Sequence, residues 1–182
     1  GLWRAMPETA GNAGERFSVA RLLADYRQVF SNRRLLCGAL AIGFSALPLL
    51  AWVAQSPVIL IQDGGLTPLE YGLVQVPIFV SLIIGNLLLS RLSGRVTIEK
   101  PLWLGAWPIV LGLAIAAVAA LSDPHQWVVS VIGLSLYAFG TGLINAGLYR
   151  LTLFASPVGK GTVAAAVGLI TLALYAGGIE VA

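Results

Sequence analysis

The side chains that could do chemistry in this sequence are few, and nearly all of them are neutral. Ser45, Gln55 and Ser56 are set within a long apolar run, as are Gln75, Ser81 and Asn86 in a second. Ser135, Tyr137, Thr141 and Asn145 occupy a third such run, and Thr171 and Tyr175 a fourth. Hydroxyls and amides in hydrocarbon are costly unless each meets a partner or faces water, so they point inward. Such groups can recognise a ligand by hydrogen bonding or hold helices to one another. Enzymatic patterns are missing: there is no H-E-x-x-H, no G-x-S-x-G, no Walker-type loop and no pair of intramembrane aspartates. His125 is the only histidine and has no partner near it in sequence. Cys37 is the only cysteine, so neither a disulfide framework nor a thiolate metal cluster can form within the chain. Gly140-Thr-Gly142 follows no strand, which removes a nucleotide-binding reading. Neither an enzyme, nor a metal site, nor a nucleic-acid partner is expected.

The elements that carry these groups are read from composition. Hydrophobic residues make up 58% of the chain and charged ones 10%, well below the ~25% usual in soluble domains. A helix needs about 20 mostly apolar residues to cross a bilayer core. Five segments meet that length: Leu35–Ile61, Tyr71–Leu92, Leu102–Ser122, Trp127–Tyr149 and Gly161–Ile179. The fold class expected is therefore an all-α polytopic membrane protein. The first apolar run follows a polar stretch, so no signal peptide is read.

Charge orients the segments. All eleven Lys and Arg lie before the first segment, between the second and third, or between the fourth and fifth. The remaining connections, Gln62–Glu70 and Asp123–Gln126, carry Asp63, Glu70 and Asp123 and no cation. By the positive-inside rule the chain starts in the cytoplasm and its odd-numbered spans run outward. Tyr71, Trp103, Trp127 and Tyr149 lie near the interfaces, whereas Trp52 and Trp107 lie deeper. Before the first span, Val19, Leu22, Leu23, Tyr26, Val29 and Phe30 recur at helical spacing after Ser18, with Arg21 and Arg27 on the other side. This predicts a short amphipathic helix at the cytoplasmic surface, either binding anionic lipid or simply linking.

Two readings of the buried polar set stay open. Asn, Gln, Ser and Thr hold membrane helices together at about 1 kcal/mol or less each. Spread over four spans, they also fit the lining of a polar cavity, with the third span peripheral. Pro48, Pro57, Pro77 and Pro108 favour kinks. Small residues at four-residue spacing (Gly112, Ala116, Ala120; Ala138, Gly142, Ala146) allow close approach. Such features serve both a protein that rocks between conformations and a rigid bundle.

Local motifs narrow the field. Met6-Pro-Glu-Thr9 resembles the Pro-Glu-Thr signature that follows the sixth helix in many transporters of the major facilitator superfamily. Ala54-Gln-Ser-Pro57 with Leu66-Thr-Pro-Leu-Glu-Tyr-Gly72 looks like the junction of helices seven and eight in its bacterial drug:proton antiporters. Gly85 to Arg95 resembles the degenerate second copy of the loop motif G-x-x-x-D-R-x-G-R-R, retaining Arg91, Gly94 and Arg95 but placing Ser90 at the acidic position. Leu47–Pro57, Tyr71–Phe79, Tyr137–Gly140, Asn145–Ser156 and Lys160–Val163 extend the likeness over nearly the whole chain.

The resemblance implies an incomplete C-terminal half-bundle. Residues 1–34 would be the end of a preceding helix and the central cytoplasmic loop. Residues 35–61, 71–92, 102–122, 127–149 and 161–182 would be helices seven to eleven, the last truncated, with the N-terminal half and twelfth helix absent. It further implies secondary active efflux of lipophilic or cationic drugs in exchange for protons, by alternating access, in the bacterial inner membrane. The drug cavity would be lined by Leu49, Leu50, Val53, Gln75, Asn86, Asn145, Thr171 and Tyr175. No cofactor is implied beyond the proton, whose relay the family places in the N-terminal half. Glu180 falls near the outer interface and reads as an interfacial carboxylate. The partners implied are the lipid bilayer, the drug, protons and the N-terminal half of the same transporter. A passive facilitator or channel, or a non-transporting membrane scaffold, remains the alternative.

Overall fold

A computed structural model describes residues 19–92, 97, 99–122 and 127–181. The Pro-Glu-Thr segment at 6–9, Ser18, Gly94, Arg95, Asp123 and His125 lie outside the described residues, as do Arg4 and Arg16 and the side chains of Arg21 and Glu180. A short helix α1 (Val19–Ser31) is followed by α2 (Arg33–Pro57), α3 (Pro68–Leu92), α4 (Glu99–Ser122), α5 (Trp127–Leu153) and α6 (Lys160–Val181). The last five are each long and apolar enough to cross a membrane. Large apolar side chains such as Leu73 and Ile83 on α3, Trp103 and Val118 on α4, and Leu172 on α6 face outward, as a lipid solvent requires. The chain is an all-helical, multi-pass membrane protein.

The helix ends follow from local chemistry. Asn32 is extended (φ −86°, ψ 101°) and breaks α1 from α2. Its Oδ1 accepts the Arg34 and Leu35 N–H groups at 3.1 and 3.3 Å, which caps α2. Its Nδ2 donates to the Ala155 carbonyl at 2.8 Å, tying this corner to the α5–α6 connection. α3 begins with a capping box. The Glu70 N–H reaches Thr67 Oγ1 at 3.3 Å, the Thr67 N–H returns to Glu70 Oε2 at 2.8 Å, and Pro68 takes the first helical position. Hydropathy places the starts of α3 and α4 at Tyr71 and Leu102, three residues inside the observed starts at Pro68 and Glu99, because the first turns are polar or charged. α5 likewise runs past Tyr149 to Leu153, since Arg150 interrupts the apolar pattern and not the helix.

α5 is the hub. Of its most apolar stretch 56% is buried, against 17% to 22% in the other spans. Glycines set that packing. A Cβ on Gly112 of α4 would lie 2.4 Å from the Tyr137 nitrogen and 2.5 Å from the Gly133 carbonyl. One on Gly140 would lie 2.6 Å from the Gly105 carbonyl, and one on Gly85 of α3 would meet the Phe139 carbonyl and the Gly142 Cα. Backbone therefore touches backbone where α3 and α4 cross α5. α6 packs chiefly on α2, where Gly43 faces Leu174 and Thr171. α4 packs on α5 and on little else, so it stands at the edge of the bundle.

Two apolar clusters result. One gathers Val29, Leu35, Ala39, Ile42, Val163 and Val167 where α1, α2 and α6 meet. The other centres on Ile78, Leu134, Tyr137 and Ala138, with Leu49 and Trp52 packed against it. For orientation, the end bearing Arg33, Arg91, Lys100, Arg150 and Lys160 is termed the basic end, and that bearing Asp63 and Glu70 the acidic end.

Candidate substrate-binding site

Proline shapes α2 at two levels. Pro48 cannot donate a hydrogen bond, and the kink it favours opens the preceding turn of helix. The Tyr137 hydroxyl, from the fully buried side chain of α5, donates to the Ser45 carbonyl in that turn. Pro57 ends the regular helix, and Val58–Asp63 continues as a π-helical turn. The Gly64 N–H accordingly reaches back five residues to the Ile59 carbonyl at 3.0 Å. Gly65, at φ 68°, then turns the chain toward α3.

Between these two prolines a chain of side-chain hydrogen bonds joins α2 to α3. Trp52 Nε1 donates to Gln75 Oε1 at 3.0 Å. Gln75 Nε2 donates to Ser56 Oγ at 3.2 Å, and Ser56 Oγ lies 3.2 Å from the Tyr71 hydroxyl. An indole N–H only donates, so the amide oxygen must face Trp52 and the amide NH2 must face Ser56. Ser56 and Gln75 are both buried. The direction of every bond but the last is thereby fixed.

The residues singled out in sequence are distributed unevenly. Leu49 packs against the Tyr137 cluster. Leu50 is half-buried and Val53 exposed. Gln75 is buried in the α2–α3 joint, its amide already bonded on both sides. Asn86 is exposed and bonds within its own helix, to the Leu82 carbonyl at 2.9 Å. Asn145 and Tyr175 are half-buried. Thr171 is buried against α2, its hydroxyl donating to the Gly168 carbonyl at 2.9 Å. Arg91 is exposed at the basic end. In the sequence Ser45, Ser56 and Tyr137 stand out as polar and Trp52 as unusually deep, but residue type and spacing assign none of them to a site. The signal available for Trp52 was that depth, since a buried indole requires an acceptor.

A groove of about 710 Å³ lies toward the acidic end between α2, α4 and α5. Trp52, Asp63, Ala116 and Trp127 are among its lining residues, and none of the eight cavity residues named from sequence is.

The fold and the buried neutral groups define a multi-pass helical membrane protein with a partly polar interior. No protein-family model matches the chain. Curated relatives do, along its whole length. The multidrug transporter MdfA of Yersinia pestis bv. Antiqua (strain Angola) is 59% identical over 182 residues, which is 100% of this chain and 44% of that protein. MdfA of Edwardsiella ictaluri (strain 93-146) is 59% identical over 181 residues, again 100% of this chain and 44% of its own length. MdfA of Escherichia coli O6:H1 (strain CFT073) is 54% identical with the same coverage, 100% and 44%. The chain thus spans less than half the length of the curated relatives it matches.

Proposed function

We propose that this chain forms part of the substrate cavity of a secondary active multidrug transporter of the major facilitator superfamily. The transporter exports lipophilic or cationic drugs from a bacterium in exchange for protons. The observation that carries this reading is identity of 54% to 59%, over 100% of the chain, to proteins named as multidrug transporters. On this reading the spans are helices seven to eleven, the basic end faces the cytoplasm, and the membrane is the inner one. Segregation of Arg33, Arg91, Lys100, Arg150 and Lys160 to one end supports that orientation.

The proposed wall is built in two layers. Leu50, Val53, Asn145 and Tyr175 form the surface offered to drug, and Asn86 extends it along α3. Leu49, Gln75 and Thr171 sit behind them and hold α2 in place. Apolar area with a few neutral hydrogen-bonding groups tolerates ligands of varied shape. Proton coupling is assigned to the remainder of the transporter, whose two halves rock about a shared site.

The test is dye efflux from cells lacking their own pumps and expressing the full-length protein. Accumulation should fall several-fold, and a protonophore should restore it. Asn145→Ala and Tyr175→Ala should change the drug spectrum while expression is retained. Accumulation unaffected by the protonophore would sink the antiport reading in favour of passive passage.

A further inference from the structure

α1 differs from every other helix in being strongly amphipathic, whereas the spans α3 to α6 are almost uniform around their circumference. Its protein-facing side is narrow. Val29 is fully buried against α2 and α6, with Tyr26 packed beside it. The rest of the same apolar face, beside that contact, is left uncovered as a stripe: Val19 is 60% exposed, Leu23 64% and Phe30, whose ring stacks on Tyr26 with centroids 6.4 Å apart, 43%. Arg27 borders this stripe, one turn from Leu23 and one from Phe30, and is exposed. Arg33 and Arg34 follow directly and are exposed too.

The position of α1 relative to the bilayer is fixed by what comes next. The first membrane span begins at Arg33, immediately after the Asn32 corner, and Asn32 is anchored to Ala155. α1 therefore sits at the level where a span enters the membrane. The charges around it are complementary to phosphate. Arg27, Arg33 and Arg34, with Arg150 and Lys160 at the same end, outnumber the described acids there, half-buried Asp25 and exposed Glu99. An apolar stripe edged by arginines at headgroup depth matches an anionic bilayer surface and not another polar protein face.

We infer that α1 is a lipid-docking helix. Val19, Leu23 and Phe30 enter the acyl boundary of the leaflet at the basic end, and Arg27, Arg33 and Arg34 bind the phosphates of anionic phospholipids there.

The experiment compares the full-length protein in nanodiscs of phosphatidylcholine alone and with phosphatidylglycerol added. Wild type should melt at a higher temperature when the anionic lipid is present. It should also retain anionic lipid in native mass spectrometry. Replacing Arg27, Arg33 and Arg34 by Gln should reduce that retention on the order of tenfold and abolish the rise in melting temperature. Arg91→Gln with Lys100→Gln removes charge at the same end away from α1 and should leave most of both. Leu23→Asp should lose the rise while melting normally in phosphatidylcholine. Equal losses from the Arg91/Lys100 pair would overturn the assignment to α1. Destabilisation by Leu23→Asp in phosphatidylcholine as large as in the anionic discs would show the stripe covered by protein, and would also overturn it. Inorganic phosphate at millimolar concentration should not compete; if it does, the arginines bind a soluble anion and the docking surface is refuted.

Discussion

α4 and α2 are both apolar helices bound to a neighbour, yet they are held in opposite ways. Where α4 crosses α5 the contact is backbone on backbone, with Gly105 and Gly112 set against Gly140 and Gly133. α2 and α3 scarcely touch along their backbones. They are bridged at arm's length by Trp52, Gln75, Ser56 and Tyr71. A glycine contact is specified by shape, and sliding it drives carbonyls into Cα atoms. A side-chain chain is specified by hydrogen bonds, which re-form after a shift if donors and acceptors remain in reach. Pro48, Pro57 and the π-helical turn add compliance on the same helix. One contact is a fixed wall and the other a joint.

The largest effect should come from the wall. Gly112→Val places a branched side chain where a single Cβ already lies 2.4 Å from the Tyr137 nitrogen. Destabilisation of ~2–3 kcal/mol is expected, from the upper range for overpacking. Thermal unfolding of the full-length protein in detergent measures it. Gly168→Ala is the matched control, since a Cβ there meets nothing within 4 Å. It should be neutral or slightly stabilising because alanine is the better helix former. Equal melting temperatures for the two variants would mean that α4 does not lie on α5 as described.

A smaller loss is expected from the centre of the joint. Gln75→Leu keeps the volume close and strands the Trp52 N–H and one bond of Ser56. Hydrogen bonds between membrane helices average about 0.6 kcal/mol and reach about 1.7, so the two together should cost about 1–2 kcal/mol. If Gln75→Leu costs as much as Gly112→Val, the distinction between wall and joint fails.

Much of the architecture was legible in the sequence. Five apolar runs of spanning length become five long helices, and Arg33, Arg91, Lys100, Arg150 and Lys160, the described cations that flank them, lie at one end. Detail at the crossings was legible only in part: Gly112 and Ala116, which share a small face in the sequence, do lie against Tyr137 and Gly133 of α5. The spans are nearly uniform around their circumference, so no periodicity marks Gly85, Gly105, Gly133 or Gly140 as contact residues. Gly142 was read as part of a small face, and it does meet Gly85. Ala146, in the same pattern, is exposed. The polar groups show the same divide. Gln75 and Ser56 stand out in any reading because they are costly in hydrocarbon. Their pairing across 19 residues depends on the α2–α3 turn geometry, which residue types do not encode. Gln75 and Thr171 were expected in a cavity lining and are found in packing contacts, because a polar group that faces inward serves either purpose. Trp107 remains exposed on α4, and nothing in the structure explains its depth.

The finest test lies at the end of the joint. Tyr71→Phe removes one hydroxyl whose partner, Ser56 Oγ, keeps its bond from Gln75. Stability should fall by no more than about 0.5 kcal/mol, at the low end for such bonds. Ser56→Ala interrupts the same chain one step earlier and should cost slightly more. The sharper quantity is their coupling. Groups in one hydrogen-bonded network are non-additive, whereas groups that act separately add to within about 0.3–0.5 kcal/mol. With Gln75→Leu already in place, Tyr71 is the one side-chain partner left to the buried Ser56 hydroxyl, so Tyr71→Phe leaves that hydroxyl unsatisfied. Tyr71→Phe should then cost more than it does in the wild type. A double-mutant cycle on melting free energies reads this directly. Strict additivity would reduce the joint to independent contacts, and α2 would then have to be held by its packing on α5 and α6 alone.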